Sequence, residues 1–239
     1  MSATNEIYEI LRNLEYFKTL DKNRAEIVIT RYNEPLDWIK GMEHLVTVYN
    51  KGHLNHPIEM ATIKVPNYGY GLETMLRHII TRYDSLAEVT FFAQGRLGDR
   101  EDQPIYPLYY YFEGMNANSI RGVKTLAYDL PKSRYRNRLT DPGTFACDDK
   151  TLEDFRKSIG IPYKFTIEHW VKGDWISVGR NLIREKPKEY YSYLYYACKF
   201  GRGVIVEECW FLERSWYSIF TTSLKKNFII PGCEHVILS

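Results

Sequence analysis

Three short apolar runs, each closed by a polar cluster, limit most strongly what this chain can fold into. Glu26–Thr30 (EIVIT) stops at Arg31-Tyr32-Asn33-Glu34-Pro35, Leu45–Tyr49 (LVTVY) at Asn50-Lys51-Gly52, and Val89–Ala93 (VTFFA) at Gln94-Gly95. Short runs rich in β-branched and aromatic residues, without strict alternation, read as strands buried on both faces. Ala61–Val65 is a further strand. Between these lies Asn67–Asp84, where Leu72, Met75, Leu76, Ile79, Ile80 and Tyr83 form a helical stripe behind a glycine-bearing turn, Asn67–Gly71. Strands alternating with helices predict an α/β fold with a mostly parallel central sheet flanked by helices.

The remaining elements follow from the same periodicities. Residues 5–20 predict an amphipathic helix, and Pro35 suits the first turn of a helix through Trp38. From Gly98 to Ile161 the pattern loosens into loops and short helices over the sheet edge. Trp175–Val178 is a strand, Pro187–Phe200 a helix, and Glu207–Leu224 a last helix. No internal repeat or low-complexity tract interrupts the 239 residues. They read as one domain, in which an N-terminal helix (1–24) precedes two halves, 25–100 and 101–239.

Composition excludes several classes. With 32 Lys+Arg against 30 Asp+Glu, the formal charge is +2, which argues against a polybasic nucleic-acid coat. The basic run Arg121–Leu139 reads as a solvated loop first and as a single-strand grip second. No window is long and apolar enough to span a membrane, and the charged N-terminus does not fit a signal peptide. Cys147, Cys198, Cys209 and Cys233 form no CxxC pair and read as buried thiols of a reducing, cytoplasmic compartment. His53 and His56 lack a third ligand for zinc. No GxSxG or dinucleotide fingerprint is present.

In open α/β sheets, ligands sit outside the carboxyl ends of the strands. Residues 31–34, 50–52 and 94–96 fall at such ends and together describe a polar crevice with cations suited to a phosphate-bearing ligand. The alternative is ordinary loop chemistry. Asp99, Glu101 and Asp102 follow VTFFA closely and form a candidate Mg²⁺ or Mn²⁺ site, whereas Asp148-Asp149 reads as a helix N-cap. Glu213 shares a helical stripe with Trp210, Tyr217 and Phe220. Desolvation among aromatics would raise its pKa toward a general base. A salt bridge to Arg180 or Arg202, or exposure at the helix edge, is the other reading.

Several blocks carry a resemblance. Val28–Trp38 (VITRYNEPLDW), Tyr49-Asn50-Lys51-Gly52, Asn67–Ile80 (NYGYGLETMLRHII), Tyr83–Gly95 (YDSLAEVTFFAQG), Ile176–Tyr191 and Glu213–Phe220 (ERSWYSIF) occur in this order. They resemble an uncharacterised family of bacteria, fungi and large DNA viruses that reads ARYNEDLSWL at the first block. The resemblance covers nearly the whole chain after residue 26. Tyr70-Gly71 departs from it, standing where the family has Arg-Glu.

That family is similar to GT-A-type glycosyltransferases, including algal-virus enzymes acting in the host cytoplasm. The resemblance implies transfer of a sugar, a deoxyhexose such as L-rhamnose, from a nucleotide sugar (UDP-linked by preference) to a glycan acceptor. By the same resemblance Arg31, Asn33 and Glu34 contact the nucleotide and Lys51 or Arg96 neutralises the diphosphate. Thr30, Tyr32, Asn67, Gln94 and Gly95 complete that set, and Glu213 takes the acceptor proton in an inverting displacement. The Asp-x-Asp metal motif of many such enzymes is replaced here by Gln94-Gly95. Fixed cations therefore stand in for a metal, or Asp99 and Asp102 supply a divalent cation. A non-catalytic carbohydrate-binding protein of the same fold is the competing expectation.

Overall fold

The structure, a computed structural model, describes residues 15–53, 60–95, 108–126, 144–145, 152–161, 169–199, 205–225 and 228–231. It is a mixed α/β fold built on a six-stranded sheet. The strands are β1 (Ala25–Arg31), β2 (Val46–Asn50), β3 (Thr62–Lys64), β4 (Val89–Gln94), β5 (Ile120–Leu126) and β7 (His169–Gly179), in the order β3-β2-β1-β4-β7-β5. β1 runs parallel to β2 and β4, and β2 parallel to β3, as the apolar runs predict. β7 is antiparallel to β4. The sheet is therefore mostly, not wholly, parallel. A separate two-stranded parallel sheet pairs β6 (Thr144–Phe145) with β8 (Ile205–Val206).

The helices are α1 (Tyr70–Arg82), α2 (Leu152–Ser158), α3 (Arg180–Arg184), α4 (Lys188–Lys199), α5 (Glu207–Glu213) and α6 (Trp216–Thr221). Four expectations need correction. The turn after Pro35 is a 3-10 helix over Asp37–Ile39, so Pro35 lies before it. The loose segment after Gly98 contains a strand, β5, which takes the last place in the sheet order. The strand at Trp175–Val178 begins earlier, at His169. The single last helix is two, broken at Arg214-Ser215. Of the helix expected at 5–20, residues 15–20 fall among the described residues, and 15–18 of them are helical. Among the described residues no helix is long and apolar enough to cross a membrane.

The chain divides into two compact units, Met1–Pro66 with Asp84–Gly122 and Trp175–Asn181, and Asn67–Tyr83 with Val123–Asp174 and Leu182–Ser239. In the first, one face of the sheet carries Ile27, Ile29, Val46, Val48, Phe91, Ala93 and Trp175. This face is covered by Phe17, by Leu36, Ile39, Met42 and Leu45, and by Leu108, Tyr111 and Phe112. Phe91 stacks on Tyr111 with ring centroids 4.3 Å apart. Arg121, first of the basic run, is engaged internally: it donates to the Tyr110 and Glu113 carbonyls and lies over the Tyr110 ring. The rest of that run lies mostly outside the described residues.

In the second unit α1 packs against α4. Arg77 bonds Glu73 (2.8 Å), Tyr68 (3.2 Å) and Tyr195 (2.6 Å), tying the two helices at one end. At the other end the Tyr83 hydroxyl donates to the Lys186 carbonyl at 2.6 Å. The predicted stripe is buried at Leu72, Met75, Leu76 and Ile79, but Glu73, Thr74 and His78 are buried as well. Lys186 is 1% exposed, and among the described residues its ammonium has no hydrogen-bond partner. Burial pushes its pKa down from 10.5 to about 8, against the weaker attraction of Glu185.

Since the unfolded chain holds this proton more tightly than the folded one, stability rises as pH climbs from about 8 to 10.5. Lys186→Met is expected to stabilise the protein by about 3 kcal/mol below that window and to lose its advantage above it. Urea unfolding at neutral and alkaline pH checks this; a difference independent of pH would contradict it.

Candidate functional site

The polar clusters after β1, β2 and β4 come together in the first unit because parallel neighbours end on the same side of the sheet. Arg31 pairs in register with Asn50, and Thr30 with both Tyr49 and Gln94. The backbone continues this pairing past the strands. Lys51 N–H donates to the Arg31 carbonyl at 2.7 Å, and Gly95 N–H to the Thr30 carbonyl at 2.8 Å. Thr30, Arg31, Tyr32, Asn33, Glu34, Lys51, Gln94 and Gly95 thus form one crest.

Side chains then lock the crest. Arg31 is 2% exposed, yet two of its nitrogens are used: Nε donates to the Glu34 carbonyl (2.8 Å) and Nη1 to Asn50 Oδ1 (3.3 Å). Asn50 Oδ1 also accepts from Gly52 N–H at 3.0 Å. Glu34 curls back, its Oε2 accepting from the backbone N–H of Tyr32 (2.6 Å) and Asn33 (3.1 Å). A carboxylate receiving two backbone donors closes the turn as an N-cap does. Asn33 Oδ1 accepts from His53 N–H at 3.0 Å, joining the first cluster to the second.

Two glycines make this closeness possible. A Cβ on Gly52 would lie 1.1 Å from the Tyr32 carbonyl oxygen, and one on Gly95 would lie 2.7 Å from Glu34 Oε2. The third cluster is held by Trp38, whose indole N–H donates to the Gly95 carbonyl at 2.8 Å.

The outward face of the crest consists of Tyr32, His53 and Gln94, all exposed. Tyr32 and His53 meet edge to face, with centroids 5.9 Å apart and the hydroxyl 3.4 Å from Nε2. Beneath them Arg31 and Lys51 are buried cations, and the Lys64 ammonium donates to the Gly52 carbonyl. An aromatic rim over fixed positive charge suits a ligand with a planar ring and an anionic tail.

Other expected positions fall elsewhere. Asn67 is exposed and belongs to the second unit, where it precedes the left-handed residues Gly69 (φ 62) and Tyr70 (φ 46) at the start of α1. Glu213 also belongs to the second unit and ends α5. It is half-buried and its Oε2 lies 3.5 Å from Arg214 Nη1. Arg214 is an ion-pair partner of Glu213, and Arg202, one of the two arginines expected there, lies outside the described residues. The helix break also separates Glu213 from the expected stripe-mates Tyr217 and Phe220, which lie on α6. Arg96, Asp99 and Asp102 lie outside the described residues. Among the described residues no cluster of three or more His, Cys, Asp or Glu side chains is placed to hold a metal.

Sequence reading placed Asn50 in the crevice but missed Trp38 and His53 as parts of the site. His53 borders the 50–52 cluster, so its strand-end position was the available signal. Trp38 reaches Gly95 across 57 residues, and no local pattern announces that bond.

Gly52→Ala is expected to cost about 2–4 kcal/mol, because its methyl group displaces the Tyr32 carbonyl and opens the turn. Chemical denaturation checks this, and wild-type stability in the variant would show that the turn is not closed as described.

No family model matches this chain, and no curated protein or solved structure matches it.

Proposed function

We propose that the chain is a glycosyltransferase of GT-A-like architecture that binds a nucleoside-diphosphate sugar at the crest. The observation that carries the reading is the pre-closed Arg31–Glu34 turn, joined to Asn50–His53, with two buried cations beneath an exposed Tyr32–His53 rim. Within this reading the base lies against Tyr32, and Arg31 and Lys51 supply positive potential to the diphosphate. Glycosyl transfer breaks the bond between the anomeric carbon and the diphosphate oxygen, so negative charge grows on the leaving group. Cations already in place stabilise that charge without reorganising.

The acceptor is a glycan hydroxyl. Its oxygen bonds to the anomeric carbon, its proton passes to a carboxylate base, a role that the resemblance alone assigns to Glu213, and the nucleoside diphosphate departs with the bonding pair. The configuration inverts. UDP is the preferred carrier and a deoxyhexose the preferred sugar, both from the resemblance. A divalent cation at Asp99 and Asp102 is the alternative to fixed cations.

A second reading, a carbohydrate-binding protein without chemistry, is favoured by the Glu213–Arg214 pair, since a carboxylate already paired with a cation is a weaker base.

Thermal shifts with UDP, GDP, ADP, TDP and their sugar conjugates, each with and without Mn²⁺, separate these readings. A matching nucleotide at a hundredfold excess over its Kd is expected to add about 2.7 kcal/mol of stability. Glu213→Gln is expected to keep that shift and to lose about 10²–10⁴ in turnover. A response to glycans alone selects the second reading. No response to any nucleotide overturns the first.

A further inference from the structure

The crest reaches one strand further than β1, β2 and β4. β3 runs parallel to β2, with Lys64 in register with Asn50, and Asn50 is in register with Arg31. Residues paired across parallel strands direct their side chains to the same face, so Arg31, Asn50 and Lys64 form one polar row across three strands. That row converges on Gly52. The Gly52 N–H donates to Asn50 Oδ1 at 3.0 Å, and the Gly52 carbonyl accepts from the Lys64 ammonium. The same peptide unit continues into the His53 N–H, which donates to Asn33 Oδ1 at 3.0 Å. The Lys64 charge is therefore held against the peptide that carries the His53 ring, and that ring meets Tyr32. In the sequence Lys64 is one lysine in a three-residue strand, and only the pairing of β3 with β2 brings it here.

Exposure separates this cation from the other two at these strand ends. Arg31 and Lys51 are 2% and 5% exposed, so they supply potential but offer a ligand almost no surface. Lys64 is exposed. An ammonium has three donors. Gly52 takes one, and among the described residues Lys64 has no ion pair and no other side-chain bond, which leaves two donors for solvent or a ligand. Because the side chain is already tethered, less rotamer freedom is lost when an anion arrives. We infer that Lys64 is the residue that touches the ligand's diphosphate, with the planar ring against Tyr32 and the anionic tail turned toward β3. The inference rests on the reading that the crest binds a nucleoside diphosphate. Arg31 and Lys51 set the potential from below, and Lys64 makes the charge-assisted bonds to phosphate oxygens.

Two variants separate contact from bracing. Lys64→Gln keeps a donor and removes the charge, and Lys64→Arg keeps the charge. Each is titrated calorimetrically with the nucleoside diphosphate that gives the thermal shift, with the corresponding nucleoside, and with inorganic pyrophosphate. Lys64→Gln is expected to weaken the diphosphate and pyrophosphate about ten- to a hundredfold and to leave the nucleoside within about twofold of wild type. Lys64→Arg is expected to recover most of that loss. In the wild-type protein, saturating pyrophosphate is expected to shift the Lys64 side-chain NMR signal, assigned by its absence in Lys64→Arg. This last measurement holds even if Lys64→Gln fails to fold.

Unchanged diphosphate affinity in Lys64→Gln, or an unmoved Lys64 signal, overturns the inference and leaves the reading of the crest intact. Equal losses for diphosphate and nucleoside overturn it as well, since they make Lys64 only a brace for the Gly52 turn. If pyrophosphate binds and no nucleotide does, the nucleotide-sugar reading fails, and the pyrophosphate titration still decides for Lys64. If the wild-type protein binds neither, both fall together.

Discussion

Arg31 is the constraint on which the first unit's functional end depends. A guanidinium removed from water costs several kcal/mol unless its donors are satisfied, and here the partners come from two different strand ends. The Glu34 carbonyl belongs to the turn after β1 and the Asn50 side chain to the end of β2. One buried cation thus sets the geometry of both clusters at once. Gly52 must lack a side chain because the Tyr32 carbonyl occupies the space one would take. Glu34 folds inward onto two backbone donors and also limits what can stand at 95. Trp38 then holds the third cluster through Gly95.

Much of this was legible in the chain. Parallel strands buried on both faces leave near-continuous apolar runs, so β1, β2 and β4 could be read to within a residue or two of their bounds. The strand-end clusters were legible for the same reason. What could not be read depends on partners far away in sequence. Glu73, Thr74 and His78 look like a solvent-facing side of α1, yet they are buried; Glu73 is made acceptable by Arg77, itself held by Tyr195 more than a hundred residues away. Likewise, the apolar stripe from Trp210 to Phe220 runs straight through a helix break. Periodicity does not register that break, whose turn is bonded by Arg156, 59 residues upstream of Ser215.

These failures share a form. Hydrophobic patterning reports which face of an element leaves water, and it is silent on buried polar groups whose partners lie elsewhere. Such groups are concentrated at Arg31 and Asn50 in the first unit and at Glu73, Arg156 and Ser215 in the second. Each costs free energy when left unpaired, and apolar side chains of similar volume would carry no such cost. Lys186 shows the penalty of burial, which pushes the pKa of its ammonium down to about 8.

The difference between Lys186 and Arg31 bears on the proposed chemistry. Both are buried cations, but Arg31 is bound on two sides, whereas among the described residues the Lys186 ammonium has no hydrogen-bond partner. A guanidinium held in this way moves little when a ligand arrives. Surface lysines offer charge too, but solvent screens it and the side chain must be ordered at the moment of binding. With a net charge of only +2, the chain has no broad field to attract an anion from a distance. Any selectivity for a diphosphate must therefore come from local, pre-set positive potential, which is the property that Arg31 and Lys51 bring to the ends of β1 and β2.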